Sequence, residues 1–156
     1  MQFIDARDLG AWTVAAARAG TTGTFNTVGR PLTMAQLLDA CAEVSGSDAR
    51  PLWAGDQFLL DHAVEPWTDL PLWLPADTAG FLAVDTAAAR AAGLRTRPPA
   101  DTISDVLRWD AERDPAERRD ALPREREGEL LAQWAAARGT APARPVDAGG
   151  EVSQLG

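Results

Sequence analysis

Apolar residues along this chain recur at two spacings, and their alternation predicts the elements. Leu9, Trp12 and Ala16 fall on one helical face, with Asp5 placed to cap that helix and Gly20 to stop it. Asp8 stands at the third helical position, where the positive end of the helix dipole favours it. The next helix has the fullest local signature. Thr33 and Gln36 form a capping box, Leu32 and Leu37 a hydrophobic staple, and Gly46 a stop. Leu37, Leu38, Cys41 and Ala42 are its buried stripe. Residues 56–63 predict a short helix carrying Phe58, Leu59 and Leu60. Asp85 caps a small Ala-rich helix that ends at Gly93. After the break at Pro98 and Pro99, a helix begins at Asp101 or Thr102 with Ile103, Val106 and Leu107 on its apolar face. Residues 123–138 are helical by period, with Pro123 near the first turn, Gly139 past the end, and Leu130, Leu131 and Trp134 as docking side chains.

Between these stretches lie short apolar runs that predict strands: Phe3 and Ile4, then residues 24–28, 51–54 and 80–84. Short strands alternating with helices make an α/β fold the expectation. Residues 65–79 fit neither pattern. Pro66, Pro71 and Pro75 forbid a regular helix, yet Trp67 and Trp73 carry too much apolar area for a bland linker. An ordered loop is expected there.

Composition narrows the possible chemistry. The chain has 156 residues, about one domain, and a formal net charge of -8. That charge disfavours nucleic acid and anionic membrane surfaces as partners. Tyr and Lys do not occur, so every basic side chain is Arg. A single cysteine, Cys41, cannot form an internal disulfide, and no run approaches a membrane span. No basic, then apolar, leader opens the sequence, so a cytoplasmic location is expected. Residues 110–126 are dense in both charge signs, which predicts a solvated connection, and residues 140–156, rich in Ala, Pro and Gly, predict a disordered tail.

Three segments resemble a known family. Phe3-Ile4-Asp5-Ala6-Arg7-Asp8-Leu9-Gly10 resembles the segment that opens the last third of extended short-chain dehydrogenases/reductases, the NAD-dependent epimerase/dehydratase group. Phe25-Asn26-Thr27-Val28-Gly29 is similar to that family's Asn-containing strand. Asp85, Ala89, Gly93-Leu94 and Pro98 resemble its closing pattern, and the C-terminal helix is similar to that of actinobacterial members. The resemblance implies that residues 1–113 are the substrate-side region of such an enzyme, residues 114–139 a charged connection with a docking helix, and 140–156 a tail. It also implies NAD(P) as the cofactor of a full-length relative, in which Met1 corresponds to an internal position.

The family's other half is not in the sequence. There the dinucleotide sits on a Gly-rich turn before a helix, and a Tyr with a Lys four residues on carries the proton. No such turn, Tyr or Lys occurs here. No catalytic residue and no cofactor-binding residue is therefore assigned, and this chain alone is expected to bind no cofactor. The expected function is a truncated substrate-binding portion of an NAD(P)-dependent oxidoreductase or epimerase. Its implied partners are a small-molecule substrate and either a dinucleotide-binding half or a second copy joined through an exposed strand edge. The alternative is a non-catalytic ligand-binding or protein-interaction module. Nucleotide sugars are not favoured: Met1 and Gln2 stand where such members carry Arg-Asp, and Ala54-Gly55-Asp56 stands in place of a basic stretch.

Among individual residues, Glu65, Trp67 and Trp73 are the substrate-proximal candidates, because indoles offer flat apolar area and one N–H donor. Against this, the two indoles could simply pin a Pro-rich loop to the core. His62 lacks a second His or nearby Cys, so no metal site is assigned and bonding to helix-end backbone is favoured. Cys41 is expected as a small buried hydrophobe, and Asp5 with Asp8 as caps rather than an acid/base pair. Arg118, Arg119, Arg124 and Arg126 alternate with acids and are expected as solvated surface.

Overall fold

A computed structural model describes residues 1–114 and 121–138. The predicted helices form. Helix α1 spans Ala6–Arg18, and the Asp5 carboxylate caps it by accepting from the Arg7 backbone N–H. Its inward residues are Leu9, Trp12 and Ala16. Helix α2, Met34–Ser45, carries the full capping box, Thr33 hydroxyl to the Gln36 N–H and Gln36 side chain to the Thr33 N–H. Gly46 ends it in the left-handed conformation with φ 66°. Helices α3, Asp56–Asp61, and α4, Ala87–Ala91, are short. Helix α5 runs Pro99–Glu112, begins on its proline, and packs against α2. Helix α6 is Arg124–Arg138.

The expected α/β fold does not form: the described residues are helical and contain no sheet. Their one bridge pairs Pro66 with Leu70. A strand needs a continuous backbone neighbour for its N–H and C=O groups, and no run finds one among the described residues. Residues 24–28 and 51–54 make no backbone-to-backbone hydrogen bond within the described chain. Much of the run at 80–84 instead completes a 3-10 helix, Ala76–Leu82.

Side-chain amides replace part of the missing ladder. Met1 and Leu32 exchange backbone hydrogen bonds, and the Gly29 N–H donates to the Phe3 carbonyl at 2.8 Å. The Gln2 amide then pairs with Val84 like a strand neighbour, accepting from its N–H at 2.8 Å and donating to its carbonyl at 3.0 Å. It also donates to the Gly29 carbonyl, while Asn26 donates to that of Asp85. Residues 1–4, 26–32 and 84–86 thus form one seam.

A second cluster packs around Leu59, Val64 and Leu130, with Ala54, Phe58, Leu70, Trp73 and Leu122 against it. Helix α6 docks here. Leu130 is buried, the Trp134 ring meets Phe58 edge-on at 4.8 Å, and Arg126 donates to the His62 carbonyl at 2.7 Å. Arg126 is thus a docking group, not the solvated charge expected of it. Leu131 departs from its expected docking role and is 41% exposed, because one helical face holds Leu130 and Trp134 but not the residue between. Val106 and Leu107 likewise remain largely exposed on α5. The expected tail at 140–156 lies outside the described residues, as do Arg118 and Arg119 of the charged connection.

Candidate functional site

A cavity of about 350 Å³ opens along the seam, lined by Phe3, Asp5, Asp8, Leu32, Arg97 and Thr102 among others. Asp5 reaches it because it caps α1, Thr102 because it lies in the second turn of α5, and Arg97 because the chain must leave α4 before Pro98. The carboxylates are fully engaged. Asp5 accepts from the Arg7 N–H, Nε and Nη2 and from the Thr102 hydroxyl, at 2.7 to 2.9 Å. Asp8 accepts from the Arg97 N–H, Nε and Nη2 at 2.7 to 3.0 Å. Arg97 Nε also lies 3.6 Å from Asp5. Arg7 continues the alternation to Asp105 at 2.6 Å, and Asp105 meets Arg108 at 2.8 Å.

Hydrogen bonds from Arg7 hold the Asp5 carboxyl well below the usual carboxylate range, and those from Arg97 do the same for Asp8. Arg7 also depresses Asp105. Near neutral pH these groups hold no proton to give, and their lone pairs are already occupied. The Asp5–Asp8 pair therefore clamps α1 to α5; Asp5 takes the capping role expected of it, whereas Asp8 accepts from Arg97. Its partners Arg97 and Thr102 were invisible to sequence reasoning. The only available signal was two carboxylates within one helical turn, which require cations without saying which.

Glu65, Trp67 and Trp73 lie elsewhere, and none of them lines this cavity. Trp73 is half-buried against the Leu59 cluster, and its indole N–H donates to Asp56 at 3.0 Å. The other Asp56 oxygen accepts from the Ala76 N–H, tying the loop to the start of α3. Trp73 is thus a pin, the structural role that competed with its role as a substrate contact. Trp67 is about half exposed, with a left-handed backbone at φ 66°. Glu65 is exposed and closes a local turn in which its N–H donates to Asp69. The loop is ordered, and Ala63 and Leu72 share its left-handed geometry. The indole of Trp67 is open to a ligand, and none of the three candidates lines the cavity of Asp5 and Asp8.

His62 Nδ1 stands 2.7 Å from the Phe58 carbonyl oxygen. A carbonyl only accepts, so Nδ1 carries the hydrogen, and the ring lies over Phe58 at 4.0 Å. Cys41 is half-buried, and burial pushes its thiol pKa up, against nucleophilic use. Among the described residues no helix is long and apolar enough to cross a membrane, and no three metal-ligating side chains gather. No protein-family model, curated protein or solved structure matches this chain.

Proposed function

We propose that this chain is the substrate-side portion of an NAD(P)-dependent extended short-chain oxidoreductase or epimerase, inactive until joined to a dinucleotide-binding half. One observation carries the reading: the three segments that resemble this family touch one another. Trp12 of the first meets Phe25 of the second edge-on at 5.4 Å and donates to the Ala92 carbonyl in the third. Asn26 of the second donates to Asp85 of the third, and Asp8 of the first holds Arg97 of the third. Segments 80 residues apart have no local reason to meet, so a shared ancestral packing explains their order and their contact together. The unpaired backbone of residues 24–28 adds support, since a missing half would supply its neighbour.

Catalysis is assigned to the other half because neither Tyr nor Lys exists here to move the substrate proton. The six tryptophans provide the test. Titration of this chain with NADH, followed by indole fluorescence, is expected to show no tight saturable change. Micromolar binding by the chain itself would refute the reading. The surrounding coding DNA provides the positive arm. A Gly-rich strand–turn–helix and a Tyr-x-x-x-Lys, in frame or on an adjacent gene, are expected, and their absence from both places counts against the proposal.

A further inference from the structure

We infer that a second cavity, walled by Arg30, Arg90 and Arg95 around the buried Thr86, binds the phosphoryl group of a small organic molecule. The cavity measures about 230 Å³ and has no Asp or Glu among its lining residues. That is notable in a chain of net charge -8, whose other cavity contains two carboxylates. Arg30 and Arg90 make no side-chain hydrogen bond or ion pair among the described residues. Arg95 is anchored through one nitrogen, Nη1, to the carbonyls of Leu94 at 3.0 Å and Arg90 at 3.3 Å, which leaves its other donors available. Three arginines on one cavity wall with no carboxylate among its lining residues offer an anion both opposite charge and hydrogen-bond donors.

Thr86 adds a hydroxyl to the same wall. It is 5% exposed and lines the cavity, yet its hydroxyl has no hydrogen-bond partner among the described residues. Thr86 occupies the capping position of α4 but does not cap with its side chain. The neighbouring Asp85 carboxylate accepts from the Ala87 N–H instead and does not line the cavity. The hydroxyl is reached by the solvent of the cavity, so a phosphoryl oxygen can take the place of water as its acceptor.

The donor set selects the ligand. A phosphoryl group offers three acceptor oxygens and close to two charges, whereas a carboxylate offers two oxygens in one plane and a single charge. The volume is too small for a dinucleotide, and the overall negative charge repels a polyanion. Gly29, Arg30 and Thr96 form a wall common to both cavities, so the organic remainder can extend toward Phe3, Leu32 and Pro98.

The site lies wholly within this chain and does not depend on a dinucleotide-binding half. Isothermal titration at constant ionic strength uses phenyl phosphate, inorganic phosphate and benzoate as probes. Saturable 1:1 binding of phenyl phosphate at about 1 mM or tighter is expected, with benzoate weaker by about tenfold. Arg30→Gln and Arg90→Gln should each weaken phenyl phosphate about tenfold. Both side chains are exposed, so these variants carry the test even if a Thr86 variant fails to fold. Thr86→Val should weaken binding and Thr86→Ser retain it. Arg18→Gln removes the same charge from outside the cavity and should leave affinity unchanged. Absence of saturation by about 10 mM overturns the site. So does an equal loss in Arg18→Gln, which would mark general charge attraction.

Discussion

An added methyl group at Gly29 would lie 2.3 Å from the Phe3 carbonyl oxygen, the atom that accepts the Gly29 N–H. Neither backbone can retreat without losing that bond, so the residue is glycine for close approach. Gly29→Ala is expected to destabilise by about 1 to 3 kcal/mol in urea unfolding. Gly10 makes the contrast. It is exposed inside α1 with nothing within 4 Å of the position, and Gly10→Ala should stabilise by about 0.5 to 1 kcal/mol. At Trp73 the indole N–H is committed to Asp56. Trp73→Phe keeps most of the packing and should cost about 1 kcal/mol in the same assay.

Two elements far apart in sequence, α1 and α5, are joined by the alternating Asp and Arg chain. Asp5, Asp8 and Asp105 all titrate below their ordinary value when folded. A depressed folded pKa means the unfolded chain takes up protons first as pH falls. The stabilisation is therefore complete above the unfolded value of about 3.9 and lost as pH drops toward the folded values. Thermal melts should hold steady from about pH 7 to 5 and decline steeply below about pH 4. Replacing Arg97 with Gln should flatten that acid limb, and an unchanged limb would show that other carboxylates set it. Helix α6 is held differently, by apolar contact. Leu130→Ala should cost about 2 to 3 kcal/mol, whereas Leu131→Ala, at an exposed position, should fall within about 0.5 kcal/mol.

Among the described residues, several large apolar side chains stay open to solvent beside a small buried core. Phe81 is 82% exposed, and Val14, Val106 and Trp109 are each at least half exposed. The backbone of residues 24–28 has no internal partner among the described residues. Both features favour association with another polypeptide, either the proposed dinucleotide-binding half or a second copy. In size-exclusion chromatography with light scattering, the isolated chain is expected to elute as concentration-dependent oligomers. A sharp monomer at every concentration would contradict this.

Helix positions were legible in the sequence because their causes are local. The Thr33–Gln36 capping box, the Asp5 cap and the stop at Gly46 act within a turn of their own residues. The absence of Tyr and Lys was legible for the simpler reason that no fold can create either residue. Strands were misjudged because β structure depends on a distant neighbour. The runs at 24–28 and 51–54 have strand composition, and only the folded chain reveals that no backbone pairs with theirs among the described residues. Arg97 as the partner of Asp8 was equally hidden, since 15 arginines made equal candidates by residue type. The gathering of Arg30, Arg90 and Arg95 around Thr86 also belongs to tertiary structure, because residues 60 positions apart share a cavity only once the seam has closed. Sequence alone determined which helices form and which residue types are at hand, since the first follows from residue identity over short range and the second from composition. Tertiary structure decided which charges meet, which backbone stays unpaired and where a ligand can sit, since each depends on long-range packing.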